Sequence, residues 1–205
     1  MFDIVIPHHN RVDHLSRCLE AIPKGYNVHV IRGGTFAENC NKGSRLTNED
    51  DGILFLNDDC FVSKSLLDEI ESLTNQFNLI GVPLGRIAKP TEMGIKIRPD
   101  WAKEGRWPFQ HMEFPYDGDF PSGACFYISK ILFEELSGFD TQYKNGCEDV
   151  DLFLKAIERK IRIRLTENSA FHLESQSEGR YNDTIANRKI LLDKYTPEIL
   201  EELAK

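Results

Sequence analysis

Gly52-Ile-Leu-Phe-Leu-Asn-Asp-Asp59 is an unbroken apolar run that ends in two adjacent carboxylates. A run this short and this apolar reads as a strand buried on both faces, the central strand of a parallel sheet. Asn57, Asp58 and Asp59 then fall at its carboxyl end, where open α/β sheets bind their ligands. Ser63 follows as an N-cap for a helix over 64–77. Neighbouring carboxylates are hard oxygen donors, suited to Mg²⁺ or Mn²⁺ shared with substrate phosphates. The same residues also fit an acidic turn that only caps the helix.

Working outward, the chain alternates. Residues 2–6 read as strand and 11–22 as helix, with Leu15, Cys18, Leu19 and Ile22 on one face. Strand 26–31, a short helix 36–46, strand 52–56, helix 64–77 and strand 79–84 continue the pattern. Such β-α alternation predicts a parallel sheet with right-handed crossovers. The pattern stops between Gly85 and Pro121, which holds Pro90, Pro99, Pro108, Pro115 and Pro121 with Trp101, Trp107, Phe109 and Tyr116. Prolines there argue against long regular elements. Aromatics in such a segment suit either a lid or sugar-stacking wall, or anchors pinning a loop to the body. Strand 122–128, helix 130–136, a stop at Gly138, strand 161–165 and a helical tail over 187–205 broken near Pro197 complete the reading.

A second acidic cluster, Gly146-Cys-Glu-Asp-Val-Asp-Leu152, opens a helix whose apolar face is Val150, Phe153, Leu154 and Ile157. Glu148 and Asp149 sit in its first turn, where negative charge suits the helix dipole. They read equally as N-terminal helix acids and as a proton-accepting pair.

The chain has 205 residues, 40% of them hydrophobic, enough for one substantial core. A net charge of −8 and the lack of a dense basic run argue against nucleic acid as a partner. No apolar stretch is long enough to span a bilayer. Phe2–Pro7 lacks the basic flank and cleavage site of a signal peptide. Cys18, Cys40, Cys60, Cys125 and Cys147 are odd in number and have no CxxC spacing, so reduced thiols in a cytoplasmic protein are expected.

Taken in order, these segments resemble the inverting glycosyltransferases of the GT-A fold, of the large family 2 type. Ile4-Val-Ile-Pro-His-His-Asn-Arg11 is similar to the family's opening strand. Asn39, Asn41 and Gly43 resemble its asparagine- and glycine-bearing helix, and Phe55-Leu-Asn-Asp-Asp59 its Asp-x-Asp region. Gly123-Ala-Cys-Phe-Tyr-Ile-Ser129, Gly138-Phe-Asp140 and Glu148-Asp-Val-Asp-Leu152 resemble the acceptor-side strand, the Gly-Phe-Asp turn and the Glu-Asp helix. Phe171-His-Leu-Glu-Ser-Gln-Ser177 is similar to a late His-x-x-x-x-Ser segment.

The resemblance implies an α/β, Rossmann-like GT-A fold: a mostly parallel central sheet flanked by helices. It implies one domain over 1–205. Residues 1–84 would form the nucleotide-binding half, 85–180 the acceptor and catalytic half, and 181–205 a helical tail. It implies Asp59 as metal ligand, with Asp58 beside it and His172 completing the metal or diphosphate site. Asp149 becomes the catalytic base and Glu148 its support. Pro7, His9, Asn10, Arg11, Arg32, Lys42, Asn57, Asp58 and Gly123 become residues of the donor site. Arg32 stands where the family usually carries a base-reading aspartate, and Asn57 where it carries the first aspartate of Asp-x-Asp. The implied cofactor is Mn²⁺ or Mg²⁺. The implied donor is a nucleotide-diphospho-sugar, UDP by default, and the acceptor a hydroxyl of a carbohydrate or glycoconjugate in polysaccharide or glycoconjugate synthesis. The expected location is cytoplasmic or peripheral at the membrane. Two rival classes remain: a non-catalytic carbohydrate- or nucleotide-binding protein on the same fold, and a sugar-nucleotide nucleotidyltransferase. The latter should carry a glycine-rich loop after its first strand, which Pro7-His-His-Asn-Arg11 lacks.

Overall fold

Apolar strands buried on both faces build the centre of the main sheet. In the computed structural model, which describes residues 2–10, 12–48, 52–115, 117–173 and 182–205, β1 (Phe2–Pro7) is buried along its length. Helix α1 (Val12–Ala21) packs Leu15 and Cys18 inward. β2 (Val28–Ile31) lies beside β1, and α2 (Phe36–Ser44) starts from a capping box between Thr35 and Glu38. Gly43 lets α2 lie against β1, since a Cβ there would come within 2.3 Å of Val5 Cγ1. β3 (Gly52–Leu56) is wholly buried, as its composition predicts. β4 (Cys60–Phe61), then α3 (Lys64–Leu73), capped by Ser63, and β5 (Leu79–Gly81) follow.

The expected strand 79–84 is two strands in two sheets. β5 ends at Gly81 and β6 (Leu84–Arg86) begins a second sheet. Pro83 stands at the joint. Having no N–H, it cannot continue a ladder as a donor.

The segment Gly85 to Pro121 also departs from the expectation that its prolines exclude long elements. β7 (Lys89–Ile97) is nine residues long, α4 (Pro99–Lys103) is a short helix, and β8 (Phe109–Glu113) pairs with β7. The prolines are placed where they do little harm. Pro90 is the second residue of β7, and Pro99 starts α4, where the missing N–H is no loss. Gly94 adopts φ 116° at a register shift in β7, a position that suits glycine.

β9 (Cys125–Ser129), α5 (Lys130–Glu135), α6 (Glu148–Glu158), β10 (Ile163–Leu165), β11 (Ala170–His172), α7 (Thr184–Lys194) and α8 (Pro197–Leu203) complete the chain, with the tail broken at Pro197 as expected. The first sheet has the order β10-β5-β9-β3-β1-β2 and is parallel apart from β9, which is antiparallel to both its neighbours. The second sheet has the order β4-β11-β6-β7-β8.

One apolar cluster covers one face of the first sheet, with Val5, Phe55, Phe126, Phe133, Phe139 and Phe153 at its centre. The other face carries Ile4, Leu54, Leu56, Tyr127, Leu66 and Ile70. Successive residues of β1 and β3 alternate between these clusters, which is why both strands read as continuous apolar runs. Phe120 stacks on Phe153 of α6 at 5.7 Å, tying the segment between the sheets to the helix that bears the second acidic cluster.

Candidate functional site

The carboxyl ends of β1 and β3 open on a cleft of about 150 Å³. Its described lining unites the two acidic clusters, which lie ninety residues apart: Asn57, Asp58 and Asp59 on one side, Glu148 and Asp149 on the other. Pro7, His9, Gly123 and His172 also line it. Asn10, Arg32 and Lys42 are exposed and stand outside that lining. Arg11 lies outside the described residues, as do positions 174–177 of the late serine-bearing segment.

The Asp58–Asp59 corner is made by long-range pairing. His172 and Cys60 are direct partners across the antiparallel β11–β4 pair, so both side chains lie on one face. His172 Nε2 lies 3.2 Å from Asp59 Oδ1. The contact is not aligned as a hydrogen bond, and Nε2 is buried without any such partner among the described residues. A buried ring nitrogen facing a carboxylate oxygen fits a cation shared between them. Asp59 is 7% exposed and His172 6%, so water does little to offset that pairing. Asp58 turns instead to His8, whose Nδ1 is 2.6 Å from Oδ2. The sequence reading missed His8. Its signal was its position directly after a strand-ending proline, opposite a carboxylate at the end of the neighbouring strand.

The Glu148–Asp149 corner is made mainly by backbone groups around one helix start. The turn before α6 is left-handed at Asn145 (φ 55°) and Cys147 (φ 73°), and Cys147 offers α6 no side-chain cap. Glu148 Oε2 accepts the Gly146 N–H, closing that turn. Asp149 Oδ2 accepts the N–H of Gly123 at 3.1 Å, and Oδ1 the N–H of Val150 at 2.9 Å. Gly123 has no alternative here: a Cβ would sit 2.5–2.9 Å from the Asp149 side chain. The carboxylate is thus anchored just before β9 and lines the cleft. Asn145, also missed, joins this turn to α2 by accepting the Phe36 N–H at 3.1 Å.

Two further motif residues hold the frame. Asn41 exchanges two hydrogen bonds with the Phe139 backbone, 2.8 and 2.9 Å, fixing the Gly138-Phe-Asp140 turn to α2. Asp151 points away from the cleft. It is fully buried, with Lys194 Nζ 2.5 Å from Oδ1 and Lys155 Nζ 2.7 Å from Oδ2, the latter close but not aligned as a hydrogen bond.

The surrounding thiols are held neutral. Burial, reinforced by Asp58 and Asp59, pushes Cys18 up to about 12. Burial, then Asp149 and Glu148, does the same for Cys147. Burial and then Glu148 raise Cys40, and burial raises Cys60. The negative charge of the cleft therefore rests on its carboxylates.

Trp101 and Trp107 are absent from the described lining. Trp107 packs edge-on to Phe109 at 5.0 Å beneath the Arg188 guanidinium, and Trp101 lies under Arg106 at 4.7 Å. Trp107 thus joins the second sheet to the helical tail, whereas Trp101 meets a cation of its own segment. Beyond His172, the second sheet also carries His111 on β8, whose pKa is raised first by Glu92, 3.3 Å from Nδ1, and further by Asp149.

No protein-family model matches the sequence, and no curated protein matches it. Solved structures do match the fold. S. aureus TarS aligns with 99% of this chain and 69% of its own, with a TM-score of 0.63 at 11% identity. GalNAc-T7, solved with UDP, GalNAc and Mn²⁺, aligns with 94% of this chain and 47% of its own, TM-score 0.69 at 13% identity. The catalytic domain of Drosophila β1,4-galactosyltransferase 7 aligns with 91% of this chain and 79% of its own, TM-score 0.54 at 15% identity. A mostly parallel sheet crossed by one antiparallel strand, with an acidic cleft at its carboxyl edge, is in this chain the fold of the GT-A glycosyltransferases.

Proposed function

We propose that this chain is a metal-dependent, inverting glycosyltransferase. It moves a sugar from a nucleoside-diphosphate donor, UDP by default, to a hydroxyl of a carbohydrate or glycoconjugate acceptor. The observation that carries this reading is the single cleft lined by both acidic clusters and His172. The fold adds support, since TarS is also solved with UDP-GlcNAc and GalNAc-T7 with UDP and Mn²⁺.

In this reading residues 1–84 hold the donor, 85–180 shape the acceptor side and 181–205 brace the body. Pro7, His9 and Asn57 border the nucleotide and diphosphate. Asp59 and His172 hold the divalent ion, with Asp58 beside them. A bound Mn²⁺ or Mg²⁺ would supply positive charge to the diphosphate leaving group. Asp149 takes the proton of the acceptor hydroxyl as its oxygen attacks the anomeric carbon. Two backbone N–H bonds hold that carboxylate in place at the start of α6. Attack opposite the departing diphosphate inverts the anomeric centre, so no nucleophile from the chain is required. Glu148 supports Asp149 by closing the turn that enters α6. The five free cysteines suit a reducing compartment, cytoplasmic or peripheral at the membrane.

One observation favours a non-catalytic nucleotide-binding protein instead: Asp58 engages His8 and Asn57 carries no charge, so the corner holds few free anionic donors. A panel of sugar nucleotides with Mn²⁺ or Mg²⁺ decides between them. The transferase reading expects metal-dependent release of the nucleoside diphosphate from one donor, and an acceptor product of inverted anomeric configuration by NMR. Tight binding of a nucleotide with no turnover of any donor would leave the binding protein.

A further inference from the structure

The Asp59 corner has a third donor of a different chemical kind. Cys60 faces His172 directly across the β11–β4 pair. An oxygen of Asp59, the Cys60 Sγ and a ring nitrogen of His172 lie within 4.8 Å of one another. All three residues are buried, Cys60 completely. Among the described residues His172 Nε2 is at once buried and without a hydrogen bond, so the cluster contains an unspent donor on a residue more than nine-tenths buried. Carboxylate, imidazole and thiol together are a poor match for Mg²⁺, which prefers oxygen alone, and a good match for borderline and soft cations. Three protein donors with one open position is also the pattern of a zinc site that accepts an external oxygen ligand.

We propose that Cys60 completes a mixed oxygen–sulfur–nitrogen site with Asp59 and His172, selective for Zn²⁺, Co²⁺ or Cd²⁺ over Mg²⁺. The proposal rests on the donor-site reading only for the place of the ion. On binding, the cation forms a bond to sulfur and the thiol proton leaves to solvent, with no change of oxidation state. An oxygen of a diphosphate then fits the open position.

Co²⁺ alone, titrated into the full chain without nucleotide, tests this. The wild-type protein should develop a near-ultraviolet sulfur-to-cobalt charge-transfer band. Cys60→Ser should abolish the band and weaken Cd²⁺ by roughly tenfold or more, while Mn²⁺ binding stays nearly level. Cys18 and Cys125 lie near enough to influence Cys60, so Cys18→Ser and Cys125→Ser are run beside it and should keep the band. X-ray absorption of the Zn²⁺-loaded wild type needs no variant, and should show sulfur at about 2.3 Å. Co²⁺ or Zn²⁺ bound without any sulfur signal, or a signal that follows Cys18 or Cys125, overturns the thiol ligand and leaves Asp59 and His172 as the metal pair. A wild-type chain that binds none of these ions, nor Mn²⁺, with or without UDP, overturns the donor-site reading as well.

Discussion

The two corners of the cleft are built in opposite ways. Asp149 depends on neighbours close in space and largely on backbone: a helix start, the Val150 N–H and one glycine that leaves room for it. Asp59 depends on side chains that only strand pairing brings together, His172 reaching it from β11 on the second sheet. A backbone-anchored carboxylate is held in a fixed position to meet an arriving proton. A buried carboxylate beside an unspent imidazole is suited to share a cation. The contrast teaches that one acidic residue type serves two chemistries according to what holds it.

Removing the charge at the backbone-held corner should give the largest effect. Asp149→Asn keeps the shape and loses the basic oxygen. Transfer should fall by roughly 10²–10⁴, seen in kcat more than in donor KM. Gly123→Ala should fall in the same direction, because its Cβ meets the Asp149 side chain at 2.5 Å. Glu148→Gln should be milder. With the true donor and acceptor in hand, near wild-type turnover by Asp149→Asn would remove it as the base.

The third acid of the helix separates a fold role from a cleft role. Asp151→Asn should leave kcat per folded molecule near normal and lower stability by about 3 kcal/mol, since two lysines lose a fully buried partner. For a domain of this size that is about 6–12 °C in Tm. A stable Asp151→Asn protein with depressed kcat would move the base along the helix and undo the contrast.

At the long-range corner, Asp59→Ala should weaken metal-dependent nucleotide diphosphate binding by about 10–100-fold and leave metal-free binding unchanged. Calorimetry with Mn²⁺ and with EDTA reads the difference. Equal affinities of wild type under both conditions would show that no cation is shared there.

The same division explains what could be read in advance. The strands of the first sheet were legible because burial on both faces leaves an unbroken apolar signature, as in Gly52 to Leu56. Capping chemistry marked Ser63 and the acidic start of α6. The second sheet was not legible. β7 begins with two exposed residues, mixes half-buried with buried positions after them, and carries Pro90 and Gly94, residues that signal breaks when their place in the strand is unknown. Likewise Asp58 and Asp59 could be found as a pair, and the family resemblance set His172 beside Asp59, but nothing showed that Asp58 would turn to His8. That outcome depends on strand register, which no local pattern near residue 58 encodes.

The smallest effect sharpens the comparison at His111, a side chain of the second sheet whose pKa Asp149 helps to raise. Glu92 on β7 and Asp149 on α6 raise its pKa, and Arg86 on β6 opposes them. A raised pKa means the folded state holds the proton more tightly than the unfolded chain. The resulting stability is fully present below about pH 6.5, the ordinary histidine value. It fades as pH rises through the folded-state pKa. Because the His111 side chain is 63% exposed, solvent screens the pairs and the contribution should stay below about 1 kcal/mol. Wild type should therefore melt slightly above His111→Gln in mildly acidic buffer, with the gap closing toward alkaline pH. High salt should narrow the acidic gap, since the partners are charges rather than apolar contacts. A gap that is constant from acid to alkali would mean that His111 contributes packing alone and that the second sheet does not sense the charge of the base.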